Sequence, residues 1–189
     1  MSKLSVLLVA DSPLVRELLN KVSLHQLALD EASSFSKANN GQIIEVASNS
    51  LLETIKNLDS EIVVIHDALR PLVSAKQMQR TFDSLGQFDA VRPTMAFTET
   101  IKSLDADNYL NQTIDREKVR RISSPEVIRK SAIDFASAKS GKNTGGWSVP
   151  LIAGAKVNEV AADPESIRIN SADEIRYLSA LLTSKTLSK

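Results

Sequence analysis

Apolar runs and polar breaks alternate along the first half of the chain at spacings that predict strands and helices in turn. Residues 5–10 (SVLLVA) predict a buried strand ending at Asp11-Ser12-Pro13. Ser12 is placed to cap a helix with Pro13 at its first position, and Leu14, Leu18, Val22 and Leu29 to give it an apolar stripe. Residues 33–41 are polar and predict a loop with the turn pair Asn40-Gly41. A short strand is expected at 43–47, then a helix opened by Asn49 or Ser50 with Leu51, Leu52, Ile55 and Leu58 inward. A strand at 61–65 and a helix at 74–85 complete a βαβαβα order, with connections short enough for right-handed parallel crossovers.

The rhythm changes after Phe88. Strands are predicted at 88–94, 97–104, 109–114 and 120–124, and Pro125 is placed to start a helix running to about Lys139. Residues 140–146 (SGKNTGG) predict a glycine-rich loop. Strands at 155–161 and 167–169 follow, then a closing helix at 171–183 whose Ser171 and Glu174 form a capping box. With no repeat or linker, the expectation is one α/β domain over residues 1–189. It is Rossmann-like and doubly wound, with a mostly parallel sheet and an antiparallel β-arm inserted at about residues 97–122.

Composition narrows the function classes. Lys plus Arg and Asp plus Glu are both 23, so no global basic field would recruit nucleic acid. The absence of cysteine excludes disulfides, thiolate nucleophiles and cysteine metal sites. No apolar run reaches membrane-spanning length and the start lacks a secretory cleavage pattern, so the expected location is cytoplasmic, with no membrane partner.

The candidate chemistry lies in residues 62–73, IVVIHDALRPLV. Four consecutive β-branched residues suit a strand buried on both faces, and open α/β sheets bind ligands at the carboxyl ends of such strands. Asp67 there is able to hold a divalent cation and Arg70 to clamp a phosphate; a surface turn in which the two merely pair is the alternative. His66 is expected to orient the loop through a backbone hydrogen bond, His25 to be a surface residue, and Trp147 to cap the core.

Four ordered fragments resemble the 2-C-methyl-D-erythritol 4-phosphate cytidylyltransferase family. Residues 65–71 (IHDALRP) resemble its VHDAARP motif, and 99–102 (ETIK) its DTIK motif. Residues 113–116 (TIDR) resemble its T-x-DR, and 162–170 its GDPENIKIT run. The resemblance implies transfer of a cytidylyl group from CTP to a sugar-alcohol phosphate, with Mg²⁺ as cofactor and positioning and charge neutralisation as the main catalytic terms. It implies Asp67 and Glu165 as Mg²⁺ ligands, and Asp67 and Arg168, the latter in place of a family lysine, as catalytic residues. It implies Arg70, Thr100, Arg116 and Thr144 as substrate contacts, and a homodimer whose β-arm carries Arg116 to the neighbouring site.

The chain also departs from that family. The family's first strand leads into a glycine-rich loop that cradles the triphosphate, and this chain has no glycine before Gly41. Aligning residues 7–13 with the family's second strand implies that the first βα unit is missing. The family's TDEAS motif becomes Thr144-Gly145-Gly146-Trp147-Ser148, and its TPQ turn becomes Ser124-Pro125-Glu126. The expectation is a family member impaired in catalysis when alone, which binds a sugar phosphate or nucleotide or associates with an active paralogue. An active cytidylyltransferase and a non-catalytic dimeric interaction protein are the alternatives.

Overall fold

In the computed structural model, residues 4–137 and 147–187 are described. In chain order the elements are β1 (Leu4–Val9), β2 (Leu18–Leu19), β3 (Val22–Ser23), α1 (Leu24–Ala38), β4 (Gln42–Val46), α2 (Leu51–Asn57), β5 (Ile62–Asp67), α3 (Ala75–Asp83) and β6 (Ala90–Met95). They continue with β7 (Ile101–Leu104), β8 (Leu110–Ile114), β9 (Arg121–Ile122), β10 (Glu126–Arg129), β11 (Val157–Ala161) and α4 (Ala172–Leu187).

The main sheet has the order β11-β6-β10-β5-β1-β4, with β9 added to β6. Strand β1 pairs in parallel with β4 and β5, and β11 in parallel with β6. Strand β10 runs antiparallel to both β5 and β6, so those two share the common direction. The sheet is therefore mostly parallel, as expected for this α/β class, and β7 and β8 form a separate antiparallel hairpin.

Burial on both faces explains why β1 and β5 read as unbroken apolar runs. Val6 and Val64 face a cluster containing Phe35 of α1 and Met78 of α3, while Leu7, Val63 and Ile65 face Leu51 and Ile55 of α2. Phe35 meets Phe82 edge to face, with ring centroids 5.9 Å apart. A third cluster joins Leu8, Leu24, Leu69 and Ile169 to Ile175 and Leu178 of α4.

Four local expectations are corrected. Ser12 caps only a 3₁₀ turn, Pro13–Arg16, and the helix begins eleven residues later at Leu24 with Ser23 as its cap. Asn20 and Lys21 have φ of 51° and 71°, a left-handed pair that closes the β2–β3 hairpin and cannot sit inside a helix. The segment 33–41 is mostly the end of α1, because Ala28, Ala32, Phe35 and Ser36 return to one buried face at helical spacing. Asn39 ends it.

Pro125 begins no helix. Residues 126–129 form β10, with Glu126, Val127 and Ile128 all buried between β5 and β6. A strand with neighbours on both sides has no use for a helical stripe, and adjacent β-branched residues fit it well. The later part of that expected helix, with the 140–146 loop, lies outside the described residues. Residues 167–169 form no strand; Ile169 makes one ladder-like bond, its N–H donating to the Leu69 carbonyl at 2.8 Å.

Candidate functional site

Strands β1 and β5 end side by side, Val9 opposite Asp67, and the Ala68 N–H donates to the Val9 carbonyl at 2.9 Å. Above these carboxyl ends lies a cleft of 410 Å³. Its charged lining is Asp11, Asp67 and Glu126 against Arg70, Arg92 and Arg168, and Ser12, Ser48, Ser123, Ser124 and Ser148 add hydroxyls. The sign of its charge is thus balanced, unlike a site built around a free polyanion.

Asp67 and Arg70 do share the strand exit, but they do not pair with each other. One Asp67 oxygen accepts the Leu69 N–H at 3.0 Å and the other accepts Arg168 Nε at 2.8 Å. Arg168 also donates from Nη1 to Asn170 Oδ1 at 2.6 Å. Arg70 turns inward, donating to the carbonyls of Ser166 at 2.7 Å and Ile122 at 3.0 Å. Burial is the main reason its pKa falls to about 10, which leaves it charged at neutral pH.

His66 is fully buried one residue earlier. Its Nδ1 lies 2.8 Å from the Ser124 hydroxyl, and that oxygen also accepts the Asp67 N–H at 3.2 Å. The histidine therefore orients the exit through a side-chain hydroxyl rather than the backbone. Burial pushes its pKa down to about 4, so it is neutral near pH 7.

Behind the cleft, Val127 faces Val91, which sets Glu126 opposite Arg92 on neighbouring antiparallel strands, and the two side chains form a buried ion pair. Glu126 also accepts from the Ser148 N–H at 3.0 Å and its hydroxyl at 3.1 Å. Arg92 lies over the Trp147 ring, 5.0 Å from its centroid. Trp147 packs on the cluster of Leu7 and Ile65, as expected of a core cap. Asp11 stands at the exit of β1, where the Ser48 hydroxyl and N–H hold its carboxyl below the ordinary carboxylate range.

The remaining expected site residues are not gathered here. Thr100 and Arg116 are exposed around the β7–β8 hairpin, outside the cleft lining, with Arg116 donating to the Thr98 carbonyl at 2.7 Å. Glu165 is half-buried on the turn before Ser166 and does not line the cleft. Thr144 lies outside the described residues. His25 bonds Glu45 at 2.9 Å on the surface. Among the described residues no group of three or more His, Cys, Asp or Glu side chains is arranged to hold a metal ion. Asp67 alone fits Mg²⁺ in the mode where one carboxylate is joined by substrate phosphates and water.

Arg92, Glu126, Ser124 and Asp11 were not singled out as chemistry by the sequence. Arg92 within AVRPT and Glu126 at the head of EVIR, each beside a valine, were the available signals for the first two.

The fold and cleft define a doubly wound α/β protein with a polar cleft at its parallel strand ends, where such sheets place their ligands. Residues 15–184 match the 2-C-methyl-D-erythritol 4-phosphate cytidylyltransferase family, and the chain belongs to that family. It is 29% identical over 128 residues to a bifunctional IspD/IspF enzyme of Rhodopseudomonas palustris, covering 65% of this chain and 32% of that protein. It is 29% identical over 129 residues to the 2-C-methyl-D-erythritol 4-phosphate cytidylyltransferase of Geobacillus thermodenitrificans, covering 66% and 56%. The chain thus spans less than two thirds of either relative. Among solved structures it resembles 4-diphosphocytidyl-2C-methyl-D-erythritol synthase of Anaerococcus prevotii, with a TM-score of 0.78 at 22% identity, covering 95% of this chain and 98% of that one. The cytidylyltransferase of Thermus thermophilus gives 0.75 at 16%, covering 94% and 98%. Among the described residues no helix is long and apolar enough to cross a membrane.

Proposed function

We propose that this chain binds a sugar-alcohol phosphate in the cleft and does not, by itself, transfer a cytidylyl group to it from CTP. The observation that carries the reading is the β1 exit. Strand β1 lies directly beside β5, so its own exit, rather than that of a missing earlier unit, adjoins Asp67. There, where backbone amides would have to approach a triphosphate, the chain places the ionised Asp11, two residues past Val9, and no glycine. A carboxylate there repels a nucleoside triphosphate, and a Cβ on every residue keeps the amides at a distance.

The cations supply little to offset this. Arg92 is committed to Glu126 and Arg168 to Asp67, while Arg70 is fixed on two carbonyls. Arg168 is the most exposed of the three, so a phosphate could draw it from Asp67. When bound, Mg²⁺ would neutralise charge on the phosphates, and Asp67 is the side chain that would hold it. Arg116 and Thr100, lying outside their own cleft, suit a homodimer in which the arm serves the neighbouring site.

A second reading, an active cytidylyltransferase, is favoured by the 98% coverage of a solved relative, which leaves little of that fold without a counterpart. Calorimetric titration with Mg²⁺ present separates the two. Methylerythritol 4-phosphate should bind at least about tenfold more tightly than CTP, a difference of about 1.4 kcal/mol. Strong heat from CTP in the wild type that disappears in Asp67→Ala would support the active enzyme instead.

A further inference from the structure

We propose that the Asp67–Arg168 ion pair is a latch that excludes a divalent cation until a phosphate-bearing ligand draws Arg168 away, so that phosphate and cation bind with positive coupling. The inference rests on the sugar-phosphate reading for the identity of the ligand, but the latch itself rests on the contacts of Asp67. Both of its oxygens are occupied, one by the Leu69 N–H at 3.0 Å and the other by Arg168 Nε at 2.8 Å. A divalent cation on this carboxylate would stand within a few ångströms of the guanidinium, and the repulsion between the two positive charges opposes their binding together.

The two partners differ in freedom. Asp67 closes a buried strand and is pinned by its own turn. The Arg168 side chain is 43% exposed and hangs from the irregular segment after Ser166, steadied by Asn170. Exposed ion pairs are weak, and a guanidinium fork matches phosphate oxygens in a bidentate way, so a phosphate dianion competes well for Arg168. Arg70 cannot take this part, because two backbone carbonyls hold it. The cation side is equally incomplete without the phosphate. Among the described residues no cluster of three metal-binding side chains exists, so the further oxygens come from water and, when it is bound, from the phosphate. Each ligand therefore prepares the other's site, and linkage makes the effect reciprocal.

The test uses Mn²⁺, read by the loss of its free electron-paramagnetic-resonance signal, with sn-glycerol 3-phosphate as the phosphate probe. Wild-type protein should bind Mn²⁺ about tenfold more tightly when glycerol phosphate is saturating. Arg168→Met should show about that tenfold gain without any phosphate, and Asp67→Asn should bind no Mn²⁺ in either condition. Arg121→Met removes a cation that lies near Arg70 and does not touch Asp67, so it reports the general effect of charge. Equal gains in Arg121→Met and Arg168→Met, or no gain in Arg168→Met, would overturn the latch. Failure of the wild type to bind glycerol phosphate in calorimetry would instead sink the sugar-phosphate reading, and the phosphate-free comparison of variants would still decide the latch.

Discussion

Glu126→Ala is expected to lower the free energy of unfolding by about 3–5 kcal/mol, the cost of leaving one member of a buried ion pair alone. The Arg92 and Glu126 side chains are only 12% and 4% exposed, and burial alone pushes the Glu126 carboxyl up while the Arg92 guanidinium pulls it back. Alanine would strand the guanidinium against Trp147 and release the Ser148 N–H and hydroxyl. Replacing both partners, as Arg92→Met with Glu126→Leu, should recover most of the loss, because apolar side chains of similar volume need no desolvation of charge. Urea unfolding followed by the fluorescence of Trp147, the only tryptophan, measures all three proteins. A single-variant loss below about 1 kcal/mol would mean that the pair is solvated. Because Ser148 lines the cleft, the same substitution should also weaken ligand binding.

Acid is expected to destabilise the protein through His66 by about 3 kcal/mol between pH 6.5 and pH 4. The ring titrates at its ordinary 6.5 when unfolded and near 4 when folded, and each unit of difference is worth about 1.4 kcal/mol. Its folded pKa is depressed, so the stabilisation is complete above pH 6.5. It drains away as the unfolded chain takes up a proton, and is gone once the pH has passed about 4. Glu126, raised by burial, acts in the opposite sense over part of this window. Asp11 and Asp134, both lowered by hydrogen bonds, lose their contributions only at more acid pH. The informative quantity is therefore the difference between wild type and His66→Gln in urea midpoints across the range. Parallel pH profiles for the two would remove His66 as the cause.

The part of the site legible in the sequence was the part built by local pattern. An apolar run into His66-Asp67 marks a buried strand and its carboxyl end, and Ser74 before a helical stripe marks the start of α3. What escaped was set by partners distant in the chain. The Asp67–Arg168 contact spans 101 residues, and Arg92 meets Glu126 only because β10 enters between β5 and β6. The alternative in which Asp67 and Arg70 merely pair is excluded for the same reason, since Ser166 and Ile122 carbonyls from two other segments hold the guanidinium. At α1, serines at 33, 34 and 36 disguised a helix whose buried face is carried by Ala28, Ala32 and Phe35. Polar residues read as loop are tolerated where a few apolar positions supply the packing.

Family membership and the Asp67 exit alone would suggest a working cytidylyltransferase, whereas Asp11 and the internally committed cations support our proposal that transfer does not occur in this chain alone. The direct measurement is pyrophosphate release from CTP and methylerythritol 4-phosphate in the presence of Mg²⁺. The expected result is no pyrophosphate above a protein-free control over many hours, with the folded protein still binding the sugar phosphate. Sustained release that matches cytidylylated product mole for mole, and is lost in Asp67→Asn, would contradict it.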